Sequence, residues 1–132
     1  MTFYSCNQLR VENLMIRDSQ QIHVSFEGCN NVKASRLTID APQNSPNTDG
    51  IHIAGTKNIQ INNCAIRTGT YENQNSDPVL TILLRIKTNN VLNIIGDDCI
   101  SIETGSQSVQ ATNIICGPGH GIRSEALTLI FI

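Results

Sequence analysis

Four ten-residue stretches carry the same order of apolar and polar positions: NQLRVENLMI at 7–16, NNVKASRLTI at 30–39, KNIQINNCAI at 57–66 and QSVQATNIIC at 107–116. Their first apolar positions are Leu9, Val32, Ile59 and Val109, so the pattern recurs at intervals of 23, 27 and 50 residues. Inner positions align too: Leu14 with Leu37, Cys64 and Ile114, and Ile16 with Ile39, Ile66 and Cys116. Apolar and polar residues alternate within each stretch, as in a strand with one buried face. A second short strand precedes each later repeat, in IHVSF, IHIAG and CISIE. His23 and His52 stand at corresponding starts of two of these and read as stacked, structural residues.

A period in the low twenties, with short strands and Asn or Gly turns, predicts an all-β chain: a parallel β-helix solenoid of roughly four to five coils. Residues 1–132 then form a single, partial β-helix domain. An antiparallel sandwich would explain the alternation but not the aligned repeat. A doubly wound fold fails because no helix-period segment separates the strands. The interval of 50 equals 23 plus 27, one coil plus an extra segment, which falls at about residues 70–96. That segment reads as an insertion that breaks the coil repeat, as an irregular extra coil, or as a stretch absent from the mature protein. Residues 123–132 read as a divergent tail.

Composition agrees with this. The 19 Ile favour strands, and the 15 Asn favour turns and stacked side-chain ladders. A net charge of −2 gives no basic patch for nucleic acid or an anionic membrane. No apolar run reaches membrane-spanning length, and MTFYSCNQLR has no signal-peptide core. The five cysteines lack zinc-site spacing, and no metal or cofactor is expected. Cys6, Cys29 and Cys64 follow the coil pattern and are expected to be small buried residues.

The chemistry gathers in three polar or Gly-rich stretches beside strands: SPNTDGIHI (45–53), GDDCISI (96–102) and CGPGHGI (116–122). Without the extra segment, Asp49 and Asp97 lie 21 residues apart, and His120 follows Asp97 by 23. Each gap is close to one coil. The three stretches are therefore expected to stack at one corner and to bring Asp49, Asp97, Asp98 and His120 together. Crowded carboxylates raise at least one pKa, so one acid can give a proton while another activates water. That combination suits glycoside hydrolysis.

NTDG, GDDCISI and CGPGHGI resemble three of the four signature blocks of the polygalacturonases, the family 28 glycoside hydrolases, and the wording is most like the plant members. The resemblance implies a right-handed parallel β-helix that cuts α-1,4-galacturonosyl links of pectin (polygalacturonic acid) with inversion. It implies that Asp97 is the general acid, that Asp49 and Asp98 activate water, and that His120 supports the acid. Asn47 would touch substrate, and Cys99 and Cys116 would be disulfide-bonded. It further implies a secreted, monomeric enzyme of the cell wall. The fourth block, an Arg-Ile-Lys, is expected after CGPGHG. Here an RIK occurs only upstream, at Arg85–Lys87 inside the extra segment, and reads as a chance match or a local surface pair. The chain is expected to be an internal fragment or an abnormal gene product. A β-helix that at most binds pectin is the alternative to an active hydrolase.

Overall fold

The computed structural model describes residues 1–41, 48–71, 94–125 and 129–131. The expected substrate contact Asn47 and the RIK at Arg85–Lys87 lie outside the described residues. The described residues contain strands and turns and no helix.

One sheet is built from β1 (Thr2–Tyr4), β4 (Val24–Glu27), β7 (Ile51–Ala54), β11 (Ile100–Ile102) and β13 (Ile122–Ser124), in that order and all parallel. The second sheet contains β2 (Asn7–Glu12), β5 (Asn30–Ser35), β8 (Lys57–Arg67), β12 (Gln107–Cys116) and β14 (Leu129–Phe131), again parallel and in chain order. A narrower strip adds β3 (Met15–Arg17) beside β6 (Thr38–Asp40), which pairs the far end of β8. Each repeat thus lays one strand into each sheet on top of the strand one repeat earlier. The pairing joins Leu9 to Val32, Val32 to Ile59 and Ile59 to Val109. It also joins Ile16 to Ile39, Ile39 to Ile66 and Ile66 to Cys116. The register is therefore the one the apolar repeat calls for, because a one-residue slip would turn every buried side chain outward.

Side chains from both sheets meet in one core. Val24, Phe26, Ile51, Ile53, Ile100 and Ile102 come from the first sheet, and Val32, Ala34, Ile59, Ile61 and Val109 from the second, all essentially buried. Each buried Ile contributes about 1.5–3 kcal/mol relative to exposure. Phe3 stacks on Phe26 with ring centroids 5.4 Å apart.

The residue before each first apolar position bends the chain. Gln8, Asn31, Asn58 and Ser108 have φ of 56°, 58°, 55° and 53°. Asn13, Arg36, Asn63 and Asn113 repeat this before the inner positions, with φ of 58°, 54°, 55° and 54°. Asn tolerates this left-handed conformation better than most side chains do, and five of these eight corners are Asn. The corner amides also stack: Asn113 donates to Asn63 at 2.7 Å and Asn58 to Asn31 at 3.3 Å.

Three expectations change. His23 and His52 are not register partners. Val24 pairs Ile51 and Ser25 pairs His52, so the shared Ile-His dipeptide suggests an alignment two residues off. His23 is buried at a turn with its ring on the Asp49 carbonyl, whereas His52 faces outward. Cys6 is only half-buried, unlike Cys29 and Cys64. Leu14 is 37% exposed, because β3 is the edge strand of its strip among the described residues.

Candidate active site

Three turns stack where the chain enters the first sheet. Asp49 precedes β7, Asp97 and Asp98 precede β11, and His120 precedes β13. Backbone hydrogen bonds lock these turns together. The Gly50 N–H donates to the Asp98 carbonyl at 3.0 Å, the His120 N–H to the Asp97 carbonyl at 2.9 Å, and the Cys99 N–H to the Gly121 carbonyl at 2.7 Å.

The chain reaches this corner across the extra segment by an antiparallel ribbon. Strands β9 (Gly69–Tyr71) and β10 (Ile94–Gly96) pair so that Gly69 lies opposite Gly96. Just inside that pair, the Asp97 N–H donates to the Thr68 carbonyl at 3.1 Å. Thr68 and Asp97 thus meet as neighbours of one turn, although 29 positions separate them in sequence.

Strand alternation would send Asp97 and Asp98 to opposite faces. Both lie outside β10 and β11, in the irregular turn between them, and that frees them to converge. The Asp98 N–H donates to Asp97 Oδ1 at 2.9 Å and to Asp49 Oδ1 at 3.3 Å. One amide therefore draws two carboxylates to itself. Asp97, Asp98 and His120 each place a ligating atom within 4.8 Å of the other two.

Asp49 is held from its other side as well. Ser101 Oγ donates to Asp49 Oδ2 at 2.7 Å, and His52 Nδ1 lies 2.8 Å from Ser101 Oγ and 4.0 Å from Asp49 Oδ2. Burial pushes the Asp49 carboxyl above the usual aspartate range. The Ser101 bond opposes this, while the hydrogen bond and charge of Asp97 and the charge of Asp98 push it further up. The folded state thus holds this proton more tightly than the unfolded chain does. Its stabilising contribution is full below the ordinary aspartate pKa and is lost as pH rises through the folded value. Asp49→Asn should remove that loss. The melting temperature of the variant minus that of the parent is expected to increase from pH 4 to pH 7, measured by calorimetry.

Sequence reasoning missed three partners. Arg123 donates from Nε to Asp98 Oδ2 at 2.9 Å, and its other nitrogens reach Glu103 at 3.4 Å and Glu125 at 3.0 Å. It lies on β13, which continues the first sheet beside β11 with Ser101 opposite Arg123. Ser101 reads in sequence as an ordinary small strand residue, and Thr68 as the end of a strand. Only the stacking of repeats shows that they face the acids.

Cys99 and Cys116 are bonded, with Cα atoms 5.9 Å apart. The bridge ties the turn carrying Asp97 and Asp98 to the end of β12, from which the His120 turn departs. Reduction is expected to cost about 3 kcal/mol for a loop of this size, seen as a lower denaturant midpoint. Cys64 is buried with its thiol pKa pushed up by that burial, so it should not substitute in the bridge.

The comparison with known proteins bears directly on this corner. Residues 1–71 and 73–126 match the family described as glycosyl hydrolases family 28. The chain belongs to that family. It is 50% identical to a polygalacturonase of Malus domestica, 47% to polygalacturonase-2 of Solanum lycopersicum and 44% to polygalacturonase QRT2 of Arabidopsis thaliana. Each of these matches covers 127 residues, 96% of the chain. The chain spans about a fifth of the length of these relatives: 22%, 22% and 23% respectively. The family match runs on both sides of residue 72 and includes Asp49, Asp97, Asp98, His120 and Arg123.

Proposed function

We propose that this chain carries the reacting groups of a polygalacturonase, on a right-handed parallel β-helix, and hydrolyses α-1,4-galacturonosyl links of pectin. The observation that carries this reading is the convergence of Asp49 and Asp97 on the single N–H of Asp98, with His120 beside the group. Burial and the neighbouring Asp97 and Asp98 push the Asp49 carboxyl up, so the crowded carboxyls retain a proton. Asp97 passes it to the glycosidic oxygen as the bond to the anomeric carbon breaks. A water attacks that carbon from the opposite face and gives its proton to Asp98 or Asp49. His120 keeps the Asp97 carboxyl aimed at the leaving oxygen. Inversion calls for carboxyls about 6.5–9.5 Å apart, so the Asp97 side chain swings off the Asp98 amide as the sugar enters.

Asn47, two residues before Asp49, contacts the sugar, and residues 70–96 form an insertion outside the coil repeat. Pectin is the partner of a secreted monomer. The ion pair of Arg123 with Asp98 favours a second reading, in which pectin is held without being cut. Incubation with polygalacturonate separates the two. New reducing ends without ultraviolet-absorbing unsaturated product support hydrolysis. Folded protein that releases no ends supports the binding-only reading, and unsaturated ends would indicate a lyase.

A further inference from the structure

We propose that the outer face of the second sheet is a separate docking surface for an anionic polyuronate chain, away from the acid corner. The identity of the polymer rests on the function proposed above; the surface itself does not.

Parallel, in-register strands stack side chains in rows about 4.8 Å apart per repeat. One outward row on this face is Arg10, Lys33, Gln60 and Gln110, and a second is Asn7, Asn30, Lys57 and Gln107. Arg10 and Lys33 are direct cross-strand neighbours of like charge, an arrangement that costs stability. Arg10 has only a long contact of 3.7 Å to Glu12, which also takes Arg36 at 3.4 Å. Lys33 and Lys57 form no ion pair among the described residues. Arg10, Lys33, Lys57 and Arg36 thus set four cations against the one carboxylate of Glu12, in a chain whose net charge is −2.

The other sheet carries the opposite balance. Glu27, Glu103 and Glu125 lie along it together with the three aspartates, against Arg123. Between the two faces, the second sheet thus has the charge balance that better suits a polyanion away from the acid corner.

The surface is also shaped. A groove of about 310 Å³ runs between the positive-φ corner row and the cationic row, lined by Gln8, Arg10, Asn31, Lys33, Asn58 and Gln60. A side-chain amide recurs along it at each repeat (Gln8, Asn31, Asn58), beside the guanidinium of Arg10, the ammonium of Lys33 and the amide of Gln60. Such donors suit a linear polymer that carries a carboxylate and hydroxyls on every unit.

The test uses the full chain carrying Asp97→Asn, so that hydrolysis does not consume the ligand. Its mobility is measured in native gels containing polygalacturonate, at low salt and at about 0.3 M salt, where surface charge is screened. Arg10→Gln, Lys33→Gln and Lys57→Gln together should weaken the apparent affinity at least about tenfold at low salt and flatten the salt dependence. Glu27→Gln with Glu103→Gln should not weaken it. The single exposed change Lys33→Glu repeats the test if the triple variant melts early. Equal retardation of triple variant and parent overturns the proposal, as does a parent that is not retarded. Competition by single-stranded DNA as strong as by polygalacturonate overturns the polyuronate assignment. Weakened binding in a protein that cuts no pectin supports the surface and counts only against hydrolysis. Unchanged binding in an active hydrolase counts only against the surface.

Discussion

Asp97→Asn is expected to lower turnover on polygalacturonate by about 10²–10⁴-fold while leaving the fold intact. The amide can still accept the Asp98 N–H through its oxygen, so the turn keeps its 2.9 Å bond. What disappears is the carboxyl proposed to protonate the leaving oxygen. The loss should fall on kcat and leave KM within a few-fold, because the group acts mainly in the transition state. Steady-state kinetics on polygalacturonate, with circular dichroism to verify folding, checks this. Turnover near that of the parent would remove Asp97 from its role.

Gly50→Ala is expected to be the most damaging conservative change to the fold, costing about 3 kcal/mol or more. A Cβ at this position would stand inside contact distance of Ile66 Cγ2 and 2.6 Å from the Cys99 carbonyl oxygen. A backbone carbonyl cannot rotate aside, and Ile66 is itself buried. Gly50 is where the Asp49 turn stacks on the Asp98 turn, so the clash would also pry the carboxylates apart. Gly55→Asn is the contrasting control. Gly55 has φ of 54°, which Asn tolerates, and its Cβ would meet nothing closer than 3.9 Å. Chemical denaturation should show a large drop in midpoint for the first variant and a small change for the second. Equal effects would contradict the crowding at Gly50.

The register was legible because identity, not just hydrophobicity, repeats: an Asn or small polar corner, then an apolar residue at Leu9, Val32, Ile59 and Val109. The stacking of the NTDG, GDDCISI and CGPGHGI turns followed once the extra segment was set aside. The pairing of Gly69–Tyr71 with Ile94–Gly96 supplies the geometry for that step. Local likeness misled at His23 and His52, where a shared dipeptide outweighed the ladder two residues away. The focus of the site was illegible for a different reason. That one backbone N–H of Asp98 serves two carboxylates is a property of main-chain direction, which residue letters do not encode. Arg123 was hidden because it sits a repeat beyond the acids, in a stretch whose letters depart from the familiar block.

The most direct measurement is proton nuclear magnetic resonance of polygalacturonate during its first minutes with the protein. Asp49, Asp97 and Asp98 acting as proposed would release reducing ends that appear first as the β-anomer, inverted from the α-linkage. Ends that appear first as the α-anomer, or no ends at all from folded protein, would contradict the account.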